Sequence, residues 1–198
     1  LLKPMIDTVV MSILGTSVGC LIALPVSFYL SANFKLNKTY LVTHRGLLSI
    51  LRTLPTMVYA QLLSIVIGTG TMAGTAAIAI FTYTIAVKML YEQIETVDMG
   101  PYEAMESIGA KRSFCMMKAI YPQVRGYYFS TVLYCFETNV RSAAILGYVG
   151  AGGIGVLINQ ELKWRNYANT GLMVLILVVT VVVIETVSRE IRKKLANG

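Results

Sequence analysis

EAMESIGAKRSFCMMKAIYP, residues 103–122, is the most polar long interval of a chain that is otherwise largely apolar. Its residue order reads as a helix. Met99 and Gly100 lead into Pro101, whose fixed φ suits a first helical turn. Glu103 and Glu106 favour that N-terminal end. Glu106, Gly109 and Ala110 stand three and four residues apart, so a continuous helix puts them on one face. A glycine inside a helix costs about 1 kcal/mol relative to alanine. Gly109 is therefore either a tolerated residue of a surface helix or the place where a partner comes close, with Lys111 and Arg112 flanking it. Pro122 closes the unit and restarts the chain into the next apolar run.

On both sides the chain is grease. Of its 198 residues 56% are hydrophobic and 14% charged, against about 25% charged in soluble domains. Runs such as TGLMVLILVVTVVVIETV, residues 170–187, recur, and several in succession specify membrane spans. Five are read, at residues 8–32, 47–67, 71–91, 127–145 and 168–187, each near the ~20 residues that cross a bilayer. The second holds Pro55 and Gln61, and the proline is expected to kink it. GTGTMAG, residues 68–74, is a tight turn. The fold class is all-α, a polytopic membrane protein forming one domain over residues 1–198. The opening LLKPMID lacks an initiator Met, so an upstream segment is expected to be missing, and no cleavable signal peptide is visible.

The formal charge of +7 distributes between spans. Lys35, Lys38, Arg45 and Arg52 follow the first; Lys111, Arg112, Lys118 and Arg125 follow the third; Arg189, Arg192, Lys193 and Lys194 follow the fifth. Lys3, Lys163 and Arg165 fall on the other side. The positive-inside rule makes the heavy side cytoplasmic, with the C-terminus inside and residues 98–122 a cytoplasmic segment. No nucleic-acid-reading pattern accompanies the charge. Cys20, Cys115 and Cys135 are isolated, no His/Asp/Glu cluster offers a metal site, and His44 reads as a wet connection residue. GxxxxGK[ST] is absent, so this chain is not expected to bind or hydrolyse ATP, and no catalytic residue is assigned.

Polar groups inside the spans are costly and so informative. Glu137 and Arg141 are four apart on the fourth span and can satisfy each other. They are either a strut between helices or a pore-lining pair, with Arg141, read as the basic residue of the outer half, open to an anion. Asn139 points elsewhere and can bridge to a neighbour. Lys88 and Glu185 are read as reaching the cytoplasmic interface. The Gly-rich segment at residues 147–166 is apolar through ILGYVGAGGIGVLI, unlike a free aqueous loop. Gly150, Gly152, Gly153 and Gly155 therefore mark an external or re-entrant piece buried against protein, a gate or packing site. Tyr148, Trp164 and Tyr167 read as interface anchors.

Residues 103–122 resemble the cytoplasmic signature of ABC importer permeases: EAA, three residues, Gly, nine residues, I-x-L-P. Glu103, Ala104, Gly109 and Pro122 match at their spacing, while Met105, Ala119 and Tyr121 depart from it. LRTLPTMVYA, residues 51–60, and NVRSAAILGYVGAGGIG, residues 139–155, are similar to the phosphonate branch, with methionine permeases related. The resemblance implies a type I importer transmembrane fold in a bacterial cell membrane. It makes Glu103, Ala104, Gly109, Ala110 and Pro122 an ATPase-coupling segment. It also implies a second permease copy, two cytoplasmic ATPase subunits that use ATP and Mg, and an extracytoplasmic binding protein delivering phosphonate or a related oxyanion. Methionine or another small polar solute is the alternative cargo. A structural or regulatory membrane protein is the alternative outside transport.

Overall fold

The computed structural model describes residues 2–34 and 38–196; Lys35, counted above among the cytoplasmic cations, lies outside them. The described residues form nine α-helices and no strand: α1 (Leu2–Leu30), α2 (Lys38–Thr53), α3 (Thr56–Ile67), α4 (Thr71–Ile94), α5 (Gly100–Ser107), α6 (Arg112–Cys115), α7 (Tyr121–Leu146), α8 (Ile154–Lys163) and α9 (Tyr167–Ala196). Three of them, in α1, α4 and α9, are long and apolar enough to cross a bilayer singly. Two bent pairs, α2 with α3 and α7 with α8, bring the number to five if each is one span.

α1 and α4 form the most extensive helix pair of the bundle. The cause is a small-residue stripe on α1. A Cβ on Gly19 would lie 2.6 Å from the Ala79 carbonyl and 2.9 Å from Thr82 Cβ; one on Gly15 would lie 2.6 Å from Ile78 Cγ2. In lipid, where apolar burial alone does not join helices, such close approach is what does. GTSVG at residues 15–19 was the available sequence signal for this seam.

The second expected span is not one helix. α2 and α3 meet at 90°. Pro55 is extended, at φ −62° and ψ 148°, and a residue preceding proline is driven out of the helical region. The Tyr59 hydroxyl crosses the break and donates to the Leu51 carbonyl at 2.5 Å. α3 has 12 residues, about 18 Å, too short for ~30 Å of hydrocarbon alone.

Gly109 does not sit in mid-helix. α5 ends at Ser107, and Gly109 has φ +82°. Its N–H bonds the Glu106 carbonyl at 2.9 Å, and the Ala110 N–H bonds Met105 at 3.2 Å, a Schellman ending that needs a left-handed residue. Glu106, Gly109 and Ala110 therefore share no helical face. Nor does Pro122 end a unit. The chain runs helically from Arg112 through one π turn (Met116–Ile120) into α7. That wider turn directly precedes the proline, where an ordinary α turn would set its ring against the carbonyl four residues back.

The Gly-rich segment packs back against the last turn of α7, with Gly155 on Ala144 and Gly147. α7 passes through a short 3₁₀ turn (Gly147–Val149) and, after a 44° bend, α8 follows. Met5 of α1, Ile154 and Ile158 of α8 and Met173 of α9 share one buried cluster. α8 thus runs beside the first turns of α1 and α9. Lys3, Lys163 and Arg165 gather at that end. The far end is tied by Arg45, which pairs with Glu95, donates to the Leu30 carbonyl and lies 4.2 Å over the Tyr91 ring.

Candidate coupling segment and transport path

α5 begins on a local cap: Asp98 Oδ1 accepts the Gly100 N–H at 2.9 Å, and Pro101 occupies the first turn. Tyr102, 4% exposed, roots the helix by packing its ring, tilted by 58°, 5.3 Å from that of Phe34, in a cluster with Ile94, Cys115, Ile120 and Val124. Gln123 ties the base, bonding the Asp98 backbone through both ends of its amide at 3.2 and 3.0 Å. The opposite side is open. Glu103, Ala104, Glu106 and Gly109 are exposed, Ala110 is half-buried, and Pro122 is exposed where α7 starts. Ile108 stands 83% exposed at the tip, with Phe114 and Met117 also bare. These apolar residues were missed in the sequence, where nothing distinguishes them from buried ones. A Cβ on Gly109 would meet nothing within 4 Å, so its glycine answers to backbone conformation rather than to crowding within this chain.

Glu137 and Arg141 belong to a longer chain of charge. Glu137 is buried, and both its oxygens are taken: Arg141 Nη2 donates to Oε1 at 2.6 Å, and Arg192 Nη2 to Oε2 at 2.6 Å. Arg141 also reaches Glu185 at 3.4 Å, which Arg189 holds at 2.8 Å. Arginine and glutamate alternate along five residues that join α7 to α9, with one positive charge in excess. Arg192 is 55 residues from Glu137, and no sequence spacing announces such a pair. Glu185 lies about 27 Å along α9, within reach of the Arg141 guanidinium. Arg141 stands two residues beyond Asn139, which meets Thr82 near the middle of α4. Arg141 is not a simple partner of Glu137, since Arg192 shares that role.

Asn139 is buried and joins three helices: its amide donates to Thr16 on α1 at 2.8 Å and to Thr82 on α4 at 2.7 Å. The four glycines sit at contacts. Gly150 (φ +77°) ends a second Schellman turn, with Gly150 N–H on Gly147 at 3.1 Å and Ala151 N–H on Leu146 at 3.2 Å. Gly152 faces Thr71, Gly153 faces Thr8, and Gly155 lies against the Ala144 carbonyl and Gly147. The Thr8 hydroxyl accepts the Ile154 N–H at 2.9 Å. It thereby caps α8 from another helix, which Gly153 permits by having no side chain. Among the described residues no group of three His, Cys, Asp or Glu side chains gathers to hold a metal.

A cavity of about 330 Å³ opens beside the broken span, bounded by Pro55, Thr56 and Met57, by Phe81 of α4, and by Thr138 and Ser142 of α7.

Residues 15–196 match the family described as the binding-protein-dependent transport system inner membrane component. The chain is 30% identical over 189 residues to the phosphate-import permease protein PhnE of Mycolicibacterium smegmatis, covering 96% of this chain and 36% of that protein. It is 30% identical over 192 residues to the phosphite transport system permease protein PtxC of Stutzerimonas stutzeri, covering 97% of this chain and 70% of that one. The chain thus spans about a third of the first relative's length. An inward-facing structure of the MetNI methionine ABC transporter shares the fold, with a TM-score of 0.83 at 21% identity over 98% of this chain and 95% of that one. With the match running through the exposed segment, the charge chain and the glycine contacts alike, the chain belongs to the binding-protein-dependent transport system inner membrane component family.

Proposed function

We propose that this chain is the permease subunit of an ATP-driven importer that passes phosphite, phosphonate or a related phosphorus oxyanion into a bacterial cytoplasm. Two copies form the path, an extracytoplasmic binding protein delivers the anion, and two cytoplasmic subunits bind and hydrolyse ATP with Mg. The observation that carries the coupling role is the two-sided build of residues 98–122. One side is rooted in the bundle through Tyr102 and Gln123, while Glu103, Ala104, Ile108 and Gly109 stand free. A segment anchored so firmly and bared so fully suits a docking knob that carries motion between subunits. The cargo follows from the permeases to which the chain is similar. α9 is apolar around its circumference and 11% buried across its span, as a helix against lipid or a second copy is.

The test is uptake by vesicles holding the assembled transporter, with binding protein in excess and ATP inside or absent. ATP-dependent uptake of phosphite, phosphonate or phosphate is expected, and methionine should stay out. Uptake of methionine alone would overturn the cargo. Ile108→Asp should insert normally yet lose co-purification with the ATPase; normal co-purification and uptake would overturn the coupling role.

A further inference from the structure

We propose that the cavity beside the α2–α3 break is an oxyanion-binding station, held by the N-terminal end of α3 and the hydroxyl of Thr56. The inference rests on the reading of this chain as an importer subunit for phosphorus oxyanions.

Three observations converge on it. First, the break leaves a helix start at the cavity, where Pro55 and Thr56 line it. Phe81, on the cavity wall, is near the middle of α4, so α3 begins at mid-depth. Its cap residue is Pro55, which supplies no side-chain acceptor. The first N–H groups of a helix have no partner within it, and they carry the positive end of its dipole. Irregular backbone at membrane depth persists where it lines a cavity, and a half-helix N-terminus there faces anions well.

Second, Thr56 is 8% exposed and lines the cavity, and among the described residues its hydroxyl has no hydrogen-bond partner. Neighbouring hydroxyls are spoken for: Thr53 bonds the Ile50 carbonyl at 2.7 Å, and Ser64 bonds Gln61 at 2.7 Å. The difference is positional. Thr56 is the first residue of α3, and the carbonyl it would return to, on Arg52, belongs to α2 across the 90° bend. Its donor is left for whatever occupies the cavity.

Third, the lining carries no carboxylate and no fixed cation. Thr138 and Ser142 add two hydroxyls one turn apart on α7, now donating to carbonyls at 3.0 and 3.2 Å and able to turn toward an anion. Arg141, between them in sequence, is held by Glu137 and Glu185 and acts through its field. The volume of about 330 Å³ equals on the order of ten waters at ~30 Å³ each, enough for a tetrahedral anion with some of its hydration. Dipoles and hydroxyls without a full countercharge bind weakly, which is what a path that must release its cargo requires.

The experiment uses proteoliposomes of the complete transporter with inorganic phosphite as probe, and reads uptake and binding-protein-stimulated ATP hydrolysis per assembled complex. Thr56→Val keeps the shape and removes the donor. It should lower uptake about tenfold while leaving ATP hydrolysis within about twofold. Thr56→Ser should retain uptake. Ser142→Asp puts a negative charge in the cavity and should abolish uptake with ATP hydrolysis intact. An assembled Thr56→Val that moves phosphite at the wild-type rate overturns the station, whatever Ser142→Asp does. Should Thr56→Val not assemble, Ser142→Asp decides: wild-type uptake overturns the station, and lost uptake with retained hydrolysis supports it. A wild-type transporter that moves none of phosphite, phosphonate or phosphate overturns the cargo reading itself, and the station with it.

Discussion

Arg165 has φ +56°, in the region that costs a residue with a Cβ about 1–2 kcal/mol. It completes a third turn of the type seen at Gly109 and Gly150: its N–H bonds Leu162 at 3.0 Å and the next N–H bonds Glu161 at 3.0 Å. Two of the three turns use glycine for this position, and one does not. Arg165→Gly should therefore raise thermal stability in detergent by about 0.5–1 kcal/mol, and Gly109→Ala should lower it by about 1 kcal/mol. Parallel melts of the two variants check both signs. Gly109 also shows how far a residue can be read. Its spacing from Glu103 was legible, but a glycine six residues into a polar helix fits an interior and an ending equally. Only the bonds from Gly109 and Ala110 back to Glu106 and Met105 separate the two. Glu137 allows a sharper trial. Arg141→Gln or Arg192→Gln each leaves it one cation and should be tolerated. The double change strands a buried carboxylate and should cost about 3–5 kcal/mol, more than the two singles together. Additive melting shifts would show that the two arginines do not share it.

Among the elements, the α1–α4 seam depends on two absent side chains. Gly19→Val would drive a branched carbon into the Ala79 carbonyl and Thr82. It should cost at least about 1–3 kcal/mol, seen as a lower melting temperature and less monodisperse protein by size exclusion. Gly46→Val, at a glycine with nothing within 4 Å, is the control and should change little. Apolar length disclosed the spans in α1, α4 and α9 because each is a single uninterrupted helix. At residues 47–67 it did not show that the chain forms two helices. Pro55 was visible as a kink, yet a kink and a 90° turn have the same residues; the difference is made by α4 and α7 packing on both sides. The glycines between α7 and α8 were legible as a buried, folded-back piece, but their partners Thr8, Thr69 and Thr71 were not, being distant in sequence.

At the scale of the whole molecule, the basic residues collect at the end that holds α5, the start of α7 and the finish of α9. Lys3, Lys163 and Arg165 occupy the other end. By the positive-inside rule the first of these ends is expected in the cytoplasm. In intact cells, a cysteine placed by Lys163→Cys should react with an impermeant maleimide, and one placed by Lys193→Cys should react only after the membrane is opened. Labelling of both in intact cells would refute the orientation. The all-α membrane class was readable from composition, since burial of apolar length is written directly in residue order. The cavity beside the α2–α3 break was not, because residues from α3, α4 and α7 come together to line it.

The alternating charges on α7 and α9 bear on biogenesis. Within α7, Glu137 and Arg141 are four apart; within α9, so are Glu185 and Arg189. Each helix thus carries its own neutralised pair before it meets the other. A lone charge at the centre of an inserting helix costs about 2.5–3.5 kcal/mol, and a segment that arrives self-paired is spared much of that. The nascent chain can pass α7 from the translocon into lipid while α9 is still unmade. Afterwards the Arg192–Glu137 and Arg141–Glu185 contacts lock the two together. Glycosylation-mapped insertion of α7 alone should fall with Glu137→Gln, which leaves Arg141 bare, and recover when Arg141→Gln is added. Equal insertion of the single and double variants would mean that the pairing matters only after assembly.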